Sequence, residues 1–197
     1  MEEIRNFEWN RQVFHAFLGI FIVILLRYNL IDKQAILAIT AIGLALSLLS
    51  KRISIPLIGY FLEKFERKHE MQRLPGRGVL FYFIGIYLSL FLFTKEIAMA
   101  SIMILALGDS VSHVFGLHYG KIKHPLSQKK FLEGAIAGFV AGFLGAKIFL
   151  PWHEAFFASL FAMVVEAIEI NVGTERIDDN LIIPVIAGLT VSVIRYF

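Results

Sequence analysis

The sequence contains no cysteine, and only 18% of its 197 residues are charged. The absence of cysteine excludes disulfide bonds and thiolate chemistry. Soluble domains average about 25% charged and about 45–50% apolar residues, whereas 57% of this chain is hydrophobic. The net charge of +3 is modest and does not indicate a nucleic-acid partner. Because no linker or low-complexity segment interrupts the chain, we predict a single domain over residues 1–197.

The hydrophobic residues are gathered into long runs, which predicts an all-α, polytopic membrane helix bundle rather than a large soluble core. A run of roughly 17–25 residues is long enough to cross a bilayer. The N-terminus has no small-residue cleavage site, so we expect the first run to be retained as a span. We predict about seven spans, at residues 13–30, 34–50, 78–94, 96–113, 131–150, 152–170 and 181–197.

The segment between the second and third spans, residues 54–71, has a different pattern. Ser54 can cap a helix, and Pro56 fits its first turn, where a missing N–H does no harm. Apolar residues recur at helical spacing opposite basic ones, which predicts an amphipathic helix lying in the membrane interface. A helix packed on the cytosolic side of the bundle is the alternative.

The charged residues are distributed unevenly between the two sides that seven spans define. Fourteen of the 19 lysines and arginines, and 13 of the 16 acids, fall on the side of the N-terminus. By the positive-inside rule this side is cytosolic, and the C-terminus lies opposite. A surface rich in both signs of charge predicts a polar site that faces the cytosol.

The stretch 106–134 leaves an apolar run and carries the first group of candidate residues. Asp109 lies at the cytosolic end of span four, where a carboxylate is usually paired, metal-bound or hydrated. Gly116 and Gly120 permit tight turns or the close approach of a ligand. Glu133 opens span five, where an acid is favoured at a helix N-terminus. Four ammonium groups suited to phosphate lie between them, on Lys121, Lys123, Lys129 and Lys130.

Together these residues supply a carboxylate for Mg²⁺, a yielding backbone and cations for phosphates, which are the parts that phosphoryl transfer requires. The alternative is a basic loop at the membrane surface with one shallow acid. The stretch is not a Walker A loop, because the glycine spacing differs and no serine or threonine follows Lys121.

A second group of polar residues lies in the stretch 164–184. Glu166 and Glu169 are three residues apart near the end of span six and share a helix face. Mg²⁺ prefers carboxylate oxygens, waters and substrate phosphates, so two acid-bearing regions on one side could hold an ion between them. Helix capping is the alternative for the loop acids, but it does not account for Glu166. The loop residues are Asn171, Thr174, Asp178, Asp179 and Asn180.

Two further patterns lie within single spans. Arg11 and His15 are four residues apart and share one face of the first span. An arginine there usually anchors the helix at the cytosolic surface, and a lone histidine is more often structural than catalytic. Glycines recur every four residues in span five, which favours close packing by a neighbouring helix. These glycines are Gly134, Gly138 and Gly142.

One set of motifs runs in order along nearly the whole chain: Gly108-Asp109, Gly116, Gly120, Lys123, Lys130, Glu133-Gly134 and Ala137-Gly138-Phe139, with Arg11 and His15, Glu66-Arg67, Pro75-Gly76-Arg77-Gly78, and Thr174 followed by Asp178-Asp179-Asn180-Leu181. In these residues and their order the chain resembles the CTP-dependent polyisoprenoid and lipid kinases. That family includes dolichol, phytol and farnesol kinases and the fungal CTP-dependent diacylglycerol kinase, and it is related to cytidylyltransferases that form CDP-lipids. Two positions depart from its pattern: Gln12 stands where a lysine is frequent, and His113 where small residues are common.

The resemblance implies roles for these residues and for the second acidic group. It makes Asp109 an essential acid and Gly116 a nucleotide-loop glycine, and it gives Arg11 a phosphate-binding role. As catalytic residues we predict Asp109, Glu133, Arg11 and Lys123. As nucleotide-binding residues we predict Gly108, Gly116, Gly120, Lys121, Lys130, Asn171, Thr174 and Asn180. As Mg²⁺ ligands we predict Asp109, Glu166, Glu169, Asp178 and Asp179.

The function implied is transfer of the γ-phosphoryl group of CTP to the hydroxyl of a polyprenol or similar isoprenoid alcohol, at the cytosolic face. The acids from the two distant stretches must then converge. One rival is a cytidylyltransferase that joins CTP to a phosphorylated lipid and releases pyrophosphate. A second is a transporter or lipid-binding membrane protein, because intramembrane acids also mark ion pathways. Transporters usually show internal repeats, and none is convincing here.

Overall fold

The computed structural model describes residues 2–51, 53, 59–60, 64–66, 74–168, 171–172 and 175–197, with backbone alone at 2–4, 171–172 and 175–176. The elements in chain order are α1 (Glu2–Arg27), α2 (Lys33–Ser50), α3 (Arg77–Leu92), α4 (Lys95–Met103), a π-helical segment (Ile104–Asp109), α5 (Ser110–Tyr119), α6 (Leu132–Ala146), α7 (Trp152–Ala167), β1 (Asn171–Val172), β2 (Glu175–Arg176) and α8 (Asp179–Tyr196). The two short strands pair antiparallel. The molecule is therefore a helix bundle with one small hairpin.

The all-helical membrane bundle predicted from the sequence is confirmed. Each predicted span overlaps one continuous helix. The fourth span corresponds to α4, the π-helical segment and α5, which run on as a single helix from Lys95 to Tyr119. Four helices are long and apolar enough to cross a membrane, and two further apolar helices, α3 and α6, are shorter. The number of spans, seven, stays a prediction.

The helix Lys95–Tyr119 forms the centre of the bundle. In an apolar stretch of 18 residues within this helix, 72% is buried inside the protein, whereas only 11% of the corresponding stretch in α2 is buried. Ile104, Leu105 and Ala106 are fully buried within it. Helices α1, α3, α6, α7 and α8 pack against this one helix, whereas α2 packs on α3. The outer faces of these surrounding helices are left for lipid.

Helix α1 shows how the bundle is oriented toward lipid. Some of its apolar side chains point outward, with Phe17 65% exposed and Phe21 47% exposed. The polar side chains of Glu8 and Gln12 point inward, and Gln12 is only 3% exposed. Where the solvent is hydrocarbon, apolar residues can face outward and polar groups find partners inside the bundle. Gly19 of α1 lies against Tyr82 and Ala106, which brings α1 close to α3 and to the central helix.

The glycine pattern of α6 packs against the central helix, as predicted from its spacing. A Cβ added at Gly138 would lie 2.6 Å from the carbonyl oxygen of Gly108, and one at Gly134 would lie 2.5 Å from that of Ser112. Backbone carbonyls cannot move aside as a flexible side chain can. The small residues therefore let two helices approach almost to backbone contact, and this contact fixes the residue that precedes Asp109.

The predicted interfacial helix at 54–71 lies mostly outside the described residues. Within the part that is described, Phe65 stacks on Phe14 of α1, with ring centroids 4.7 Å apart. Glu66 is buried and accepts a hydrogen bond of 2.6 Å from the backbone N–H of Gly76. Gly76 has φ 79°, a left-handed conformation that favours glycine, immediately before α3. This part of the segment thus packs on the bundle and fixes the start of α3.

The polar contacts in the described residues gather at two ends of the bundle. At one end Lys95 donates to the side chain of Asn29 over 2.5 Å, and Arg195 donates to both carboxylate oxygens of Glu154. The other end holds the start of α8 and the end of α7, where the acids of the predicted site lie.

Candidate functional site

Three carboxylates from three elements meet at the second end of the bundle. Asp109 ends the π-helical segment, Glu166 is the next-to-last residue of α7, and Asp179 is the first residue of α8. One carboxylate oxygen from each lies within 4.8 Å of the other two. The expected convergence of acids from distant stretches is therefore present in the fold. We refer to these three residues as the carboxylate cluster.

Lys130 from the loop 120–131 reaches into the carboxylate cluster. Its ammonium group donates to Glu166 Oε1 over 2.6 Å, to Asp179 Oδ2 over 3.2 Å, and to the backbone carbonyl of Glu166. Burial disfavours the charged ammonium, but the carboxylates of Glu166 and Asp179 outweigh burial and raise the pKa of Lys130 above its ordinary 10.5. The lysine therefore stays charged at neutral pH, and its contribution to stability is lost only as the pH rises through that raised pKa.

Glu166 is the most enclosed member of the carboxylate cluster. Its side chain is 3% exposed, while those of Asp109 and Asp179 are 15% and 25% exposed. Its second oxygen, Oε2, is buried and has no hydrogen-bond partner among the described residues. A buried carboxylate oxygen without a partner is costly, and a cation coordinated beside it would remove that cost. This oxygen and the spacing of the three acids fit a divalent cation with oxygen ligands.

The π-helical segment sets the position of Asp109. It widens the central helix over six residues, from Ile104 to Asp109, and α5 continues directly from it. Such wide turns are rare and frequently lie at functional sites. Gly108 within the segment packs against Gly138 and Met163. The sequence pattern did not reveal this turn, since its apolar residues also suit an ordinary helix.

His15 of α1 lies beside Asp109. The distance from His15 Nε2 to Asp109 Oδ2 is 3.9 Å, which is longer than a hydrogen bond. The imidazole also contacts the ring of Tyr82 at a centroid distance of 4.2 Å, and the Tyr82 hydroxyl donates to the His15 carbonyl over 3.2 Å. The first span thereby contributes a buried polar group to the surroundings of the carboxylate cluster.

Arg11 is held by Glu8, a residue that the sequence analysis did not select. Arg11 donates to Glu8 Oε2 from Nε over 3.1 Å and from Nη2 over 2.9 Å, and His113 Nε2 lies 3.1 Å from the same oxygen. Glu8 and Gln12 are buried although both are polar. The signal was present, because Glu8, Arg11, Gln12 and His15 repeat at three and four residues, the spacing of one helix face.

The loop 120–131 is held in shape by its own side chains. Glu133 accepts hydrogen bonds of 3.1 Å from the backbone N–H groups of Lys121 and Ile122. The ammonium group of Lys123 lies 4.0 Å above the centre of the Phe131 ring. In the structure Glu133 and Lys123 make contacts with residues at positions 121–131. Lys130 is the lysine of the loop that contacts the carboxylate cluster. The predicted catalytic roles of Glu133 and Lys123, and the nucleotide role of Lys121, stay predictions.

The predicted nucleotide-binding glycines lie at helix contacts. Gly116 is inside α5 rather than in a loop, and a Cβ on it would meet Gly134 of α6 at 3.7 Å. Gly120 follows α5 immediately, where Phe131 and the carbonyl of Gly116 occupy the space that a side chain would need. These contacts explain why small residues stand here, and a nucleotide role stays a prediction.

The remaining predicted residues lie around the start of α8. Asp178 caps this helix by accepting a 3.1 Å hydrogen bond from the backbone N–H of Asn180. Helix capping was the alternative to Mg²⁺ binding that the sequence left open for the loop acids. The Asn180 side chain donates to the Gly78 carbonyl over 3.3 Å and joins α8 to α3. Asn171 lies in β1 with its backbone alone described, and Glu169 and Thr174 lie outside the described residues.

Comparison with known proteins relates the chain to membrane lipid kinases. An uncharacterised protein of Methanocaldococcus jannaschii is 29% identical over 189 residues, which cover 92% of this chain and 91% of that protein. A protein of Glycine max named "Probable phytol kinase 2, chloroplastic" is 30% identical over 125 residues, 55% of this chain and 42% of the plant protein. CTP-dependent diacylglycerol kinase 1 of Saccharomyces cerevisiae is 23% identical over 218 residues, 97% of this chain and 74% of the yeast protein.

The chain is homologous to phytol kinases and CTP-dependent diacylglycerol kinases. The resemblance that the sequence motifs indicated is thereby confirmed. The homologous part spans less than half the length of the plant phytol kinase. No family model matches the chain, and no solved structure matches it.

Proposed function

We propose that the protein is a CTP-dependent kinase that phosphorylates the hydroxyl group of a membrane lipid alcohol, with an isoprenoid alcohol as the first candidate acceptor. The observation that carries this proposal is the carboxylate cluster, with its unpartnered Glu166 oxygen, at one end of a membrane bundle homologous to phytol and CTP-dependent diacylglycerol kinases. The whole chain acts as one catalytic domain in this proposal.

Mg²⁺ is the cation that we assign to the carboxylate cluster. Asp109, Glu166 and Asp179 would hold it, since Mg²⁺ takes a few carboxylates together with waters and substrate phosphates. When bound, the ion neutralises charge on the phosphates of the nucleotide. Lys130 keeps two of the acids in place before the ion arrives, because it bridges Glu166 and Asp179. Glu169 and Asp178, the other acids predicted as ligands, remain candidates for neighbouring positions.

The remaining chemistry is positioning, which phosphoryl transfer chiefly requires. The exposed lysines of the loop 120–131 are suited to the nucleotide phosphates, and Arg11 is held ready by Glu8 on the adjacent face of α1. The acceptor hydroxyl would approach the carboxylate cluster from the membrane side. The positive-inside rule favours a cytosolic location for this end of the bundle.

The experiment that tests the proposal follows the label of CTP into lipid. The purified protein is incubated with CTP labelled at either the γ- or the α-phosphate, with Mg²⁺ and a panel of acceptors that includes phytol, farnesol, a long polyprenol and diacylglycerol. Label from the γ-phosphate alone should appear in the lipid. Phosphatidic acid is included because a cytidylyltransferase would instead transfer the α-phosphate to it, which is the rival outcome.

Asp109→Asn supplies the matched control for the same assay. The amide is nearly isosteric and leaves the helix packing intact, but it removes a negative charge from the carboxylate cluster. We expect the transfer rate to fall by at least about 100-fold, comparable to the loss of one charged group that stabilises a transition state. Failure of every acceptor with the wild-type protein, or full activity of Asp109→Asn, would reject the proposal.

A further inference from the structure

An apolar groove lies between α7 and α8. The groove is shallow and open on its outer side, and its volume is about 550 Å³. The groove is lined chiefly by Phe157, Phe161 and Val165 of α7 and by Ile186, Leu189 and Val193 of α8. The α7 residues recur every four positions, so they form one stripe beside the buried stripe that ends at Glu166.

The lining is chemically uniform. Thr190 is the polar residue in it, and its hydroxyl donates to the backbone carbonyl of Ile186 over 2.8 Å within α8. Among the described residues that line the groove, no side-chain donor is therefore left for a ligand. Such a surface suits a plain hydrocarbon chain and offers nothing to a polar head group.

The two ends of the groove are polar and different from each other. At one end Val165 directly precedes Glu166 of the carboxylate cluster. At the other end Ile194 directly precedes Arg195, whose guanidinium donates to both oxygens of the buried Glu154 at 3.0 and 2.9 Å. Along α7 the groove extends over nine residues from Phe157 to Val165, a length of about 12 Å at a rise of 1.5 Å per residue. It therefore leads from an ion pair at one end of the bundle to the carboxylate cluster at the other.

We propose that this groove holds the hydrocarbon tail of the acceptor lipid, with the tail's hydroxyl end beside Glu166. This inference rests on the proposed function, since it assigns the tail of the acceptor for that same site. At the far end Arg195 and Glu154 bond to each other, so that end does not call for a polar group on the occupant. An occupant that is apolar along its length and polar only at the end beside Glu166 fits the groove, which describes a long-chain alcohol. A second copy of the chain is disfavoured, because stable protein interfaces bury about 1,200–2,000 Å², and a groove of this size covers far less.

The first test fills the groove. Leu189→Trp places a bulky ring in it, and Ile136→Trp places the same ring on the exposed face of α6, outside the groove. We expect Leu189→Trp to raise KM for a C20 isoprenoid alcohol by about tenfold, as for other mismatches in apolar pockets, and to leave kcat/KM for a C5 alcohol unchanged. Ile136→Trp should leave both unchanged. Phe161→Ala, which enlarges the groove without a new ring, should shift preference toward bulkier tails.

The second test does not depend on activity. A long-chain alcohol with a diazirine at mid-tail is photolysed with the wild-type protein in lipid nanodiscs, and the labelled peptides are identified by mass spectrometry. Label should be concentrated in 157–165 and 186–194 and should be reduced by Leu189→Trp but not by Ile136→Trp.

The outcomes separate this inference from the proposed function. An active enzyme in which both tryptophan variants behave alike, with label spread over all lipid-facing helices, overturns the groove assignment alone. Label in the groove without any phosphorylated product supports the groove and rejects the kinase. A change of particle mass in Leu189→Trp without photolabel in the groove would identify an interface between copies and overturn the tail assignment.

Discussion

Three carboxylates within 4.8 Å of one another repel strongly inside a helix bundle. At an effective dielectric constant of 20, two unit charges at this distance interact with about 3 kcal/mol. Lys130 offsets part of this repulsion, since its hydrogen bonds to carboxylates of the described residues go to Glu166 and Asp179. At the residue scale the three ionised acids and Lys130 thus leave two negative charges uncompensated, which is the electrostatic reason to expect a divalent ion there.

Replacing Lys130 with methionine tests this balance. Lys130→Met keeps the length of the side chain but leaves three acids with no cation, so we expect stability to fall by about 3 kcal/mol, the lower end for breaking a buried ion pair. Mg²⁺ should then raise the unfolding temperature of the variant more than that of the wild type, because binding to the folded state alone stabilises it. Thermal unfolding in detergent, followed by tryptophan fluorescence over a Mg²⁺ series, measures both effects.

Lys147→Met is the control for this comparison, because Lys147 is an exposed lysine that follows α6. It should unfold as the wild type does at every Mg²⁺ concentration. Adding Glu166→Gln to Lys130→Met should recover part of the lost stability, since one of the three charges is removed. If Mg²⁺ stabilises the wild type and Lys130→Met equally, the carboxylate cluster is not the ion site.

The residues of the carboxylate cluster could be predicted because each is an acid inside or next to an apolar run, where chance placement is costly. It could not be predicted that Lys130, rather than another lysine of the loop, contacts Glu166 and Asp179. Four lysines share the loop, and the backbone path that sends Lys130 inward depends on hydrogen bonds such as those from Lys129 and Lys130 to Ser127. Glu8 was missed although its spacing with Arg11 marked an inward polar face of α1.

At the scale of elements, the helices could be placed from the apolar runs, but their full extent and geometry could not. Observed bounds such as Leu132–Ala146 and Trp152–Ala167 fall inside the predicted spans. In contrast, α1 begins at Glu2 rather than near residue 13, and the helix Lys95–Tyr119 continues past the predicted end at residue 113. The π-helical segment has no such marker, because one extra residue in a turn alters hydrogen bonding without altering composition. The position of Asp109 therefore depends on a feature that follows from packing against α6.

The contact between α6 and the central helix leads to a prediction about Gly138. A methyl group at this position would lie 2.6 Å from the Gly108 carbonyl and 2.7 Å from Ser112 Cβ. We expect Gly138→Ala to lower stability by about 1–3 kcal/mol, as overpacking does in tight cores, and to reduce activity because Asp109 directly follows Gly108. Unfolding in mixed micelles and the CTP assay measure the two effects.

Gly78→Ala is the matched control, because a Cβ at Gly78 in α3 meets no atom within 4 Å. Both substitutions carry the same gain in intrinsic helix propensity, so their difference reports packing alone. Equal stability of the two variants would mean that α6 can move away from the central helix without cost, contrary to the role assigned to its glycines.

At the scale of the whole molecule, the two ends of the bundle differ in charge and in chemistry. One end carries the carboxylate cluster and the basic loop 120–131, and the other carries the Glu154–Arg195 ion pair and few other charges. The positive-inside rule therefore predicts that the carboxylate cluster faces the cytosol. Because the native chain has no cysteine, single introduced cysteines can report which side each loop occupies.

We expect Leu126→Cys, in the loop 120–131, to react with a membrane-impermeant maleimide from the cytosolic side alone. Leu30→Cys, between α1 and α2, and Ile148→Cys, between α6 and α7, should react from the opposite side alone. All three side chains are more than half exposed, at 52%, 68% and 69%, so reagent access is limited by the membrane rather than by the protein. Labelling of inside-out and right-side-out vesicles, read by mass shift, gives the result.

Ile136→Cys provides the lipid-buried reference, because Ile136 is exposed on α6 within an apolar helix and should resist the aqueous reagent from both sides. The 15-residue helix α6 is the critical case. It is shorter than the roughly 20 residues of a typical span, so it crosses the bilayer only if the membrane thins locally or the helix ends extend it. Reaction of Leu126→Cys and Ile148→Cys from the same side would show that α6 does not cross, and the predicted count of seven spans would then fall.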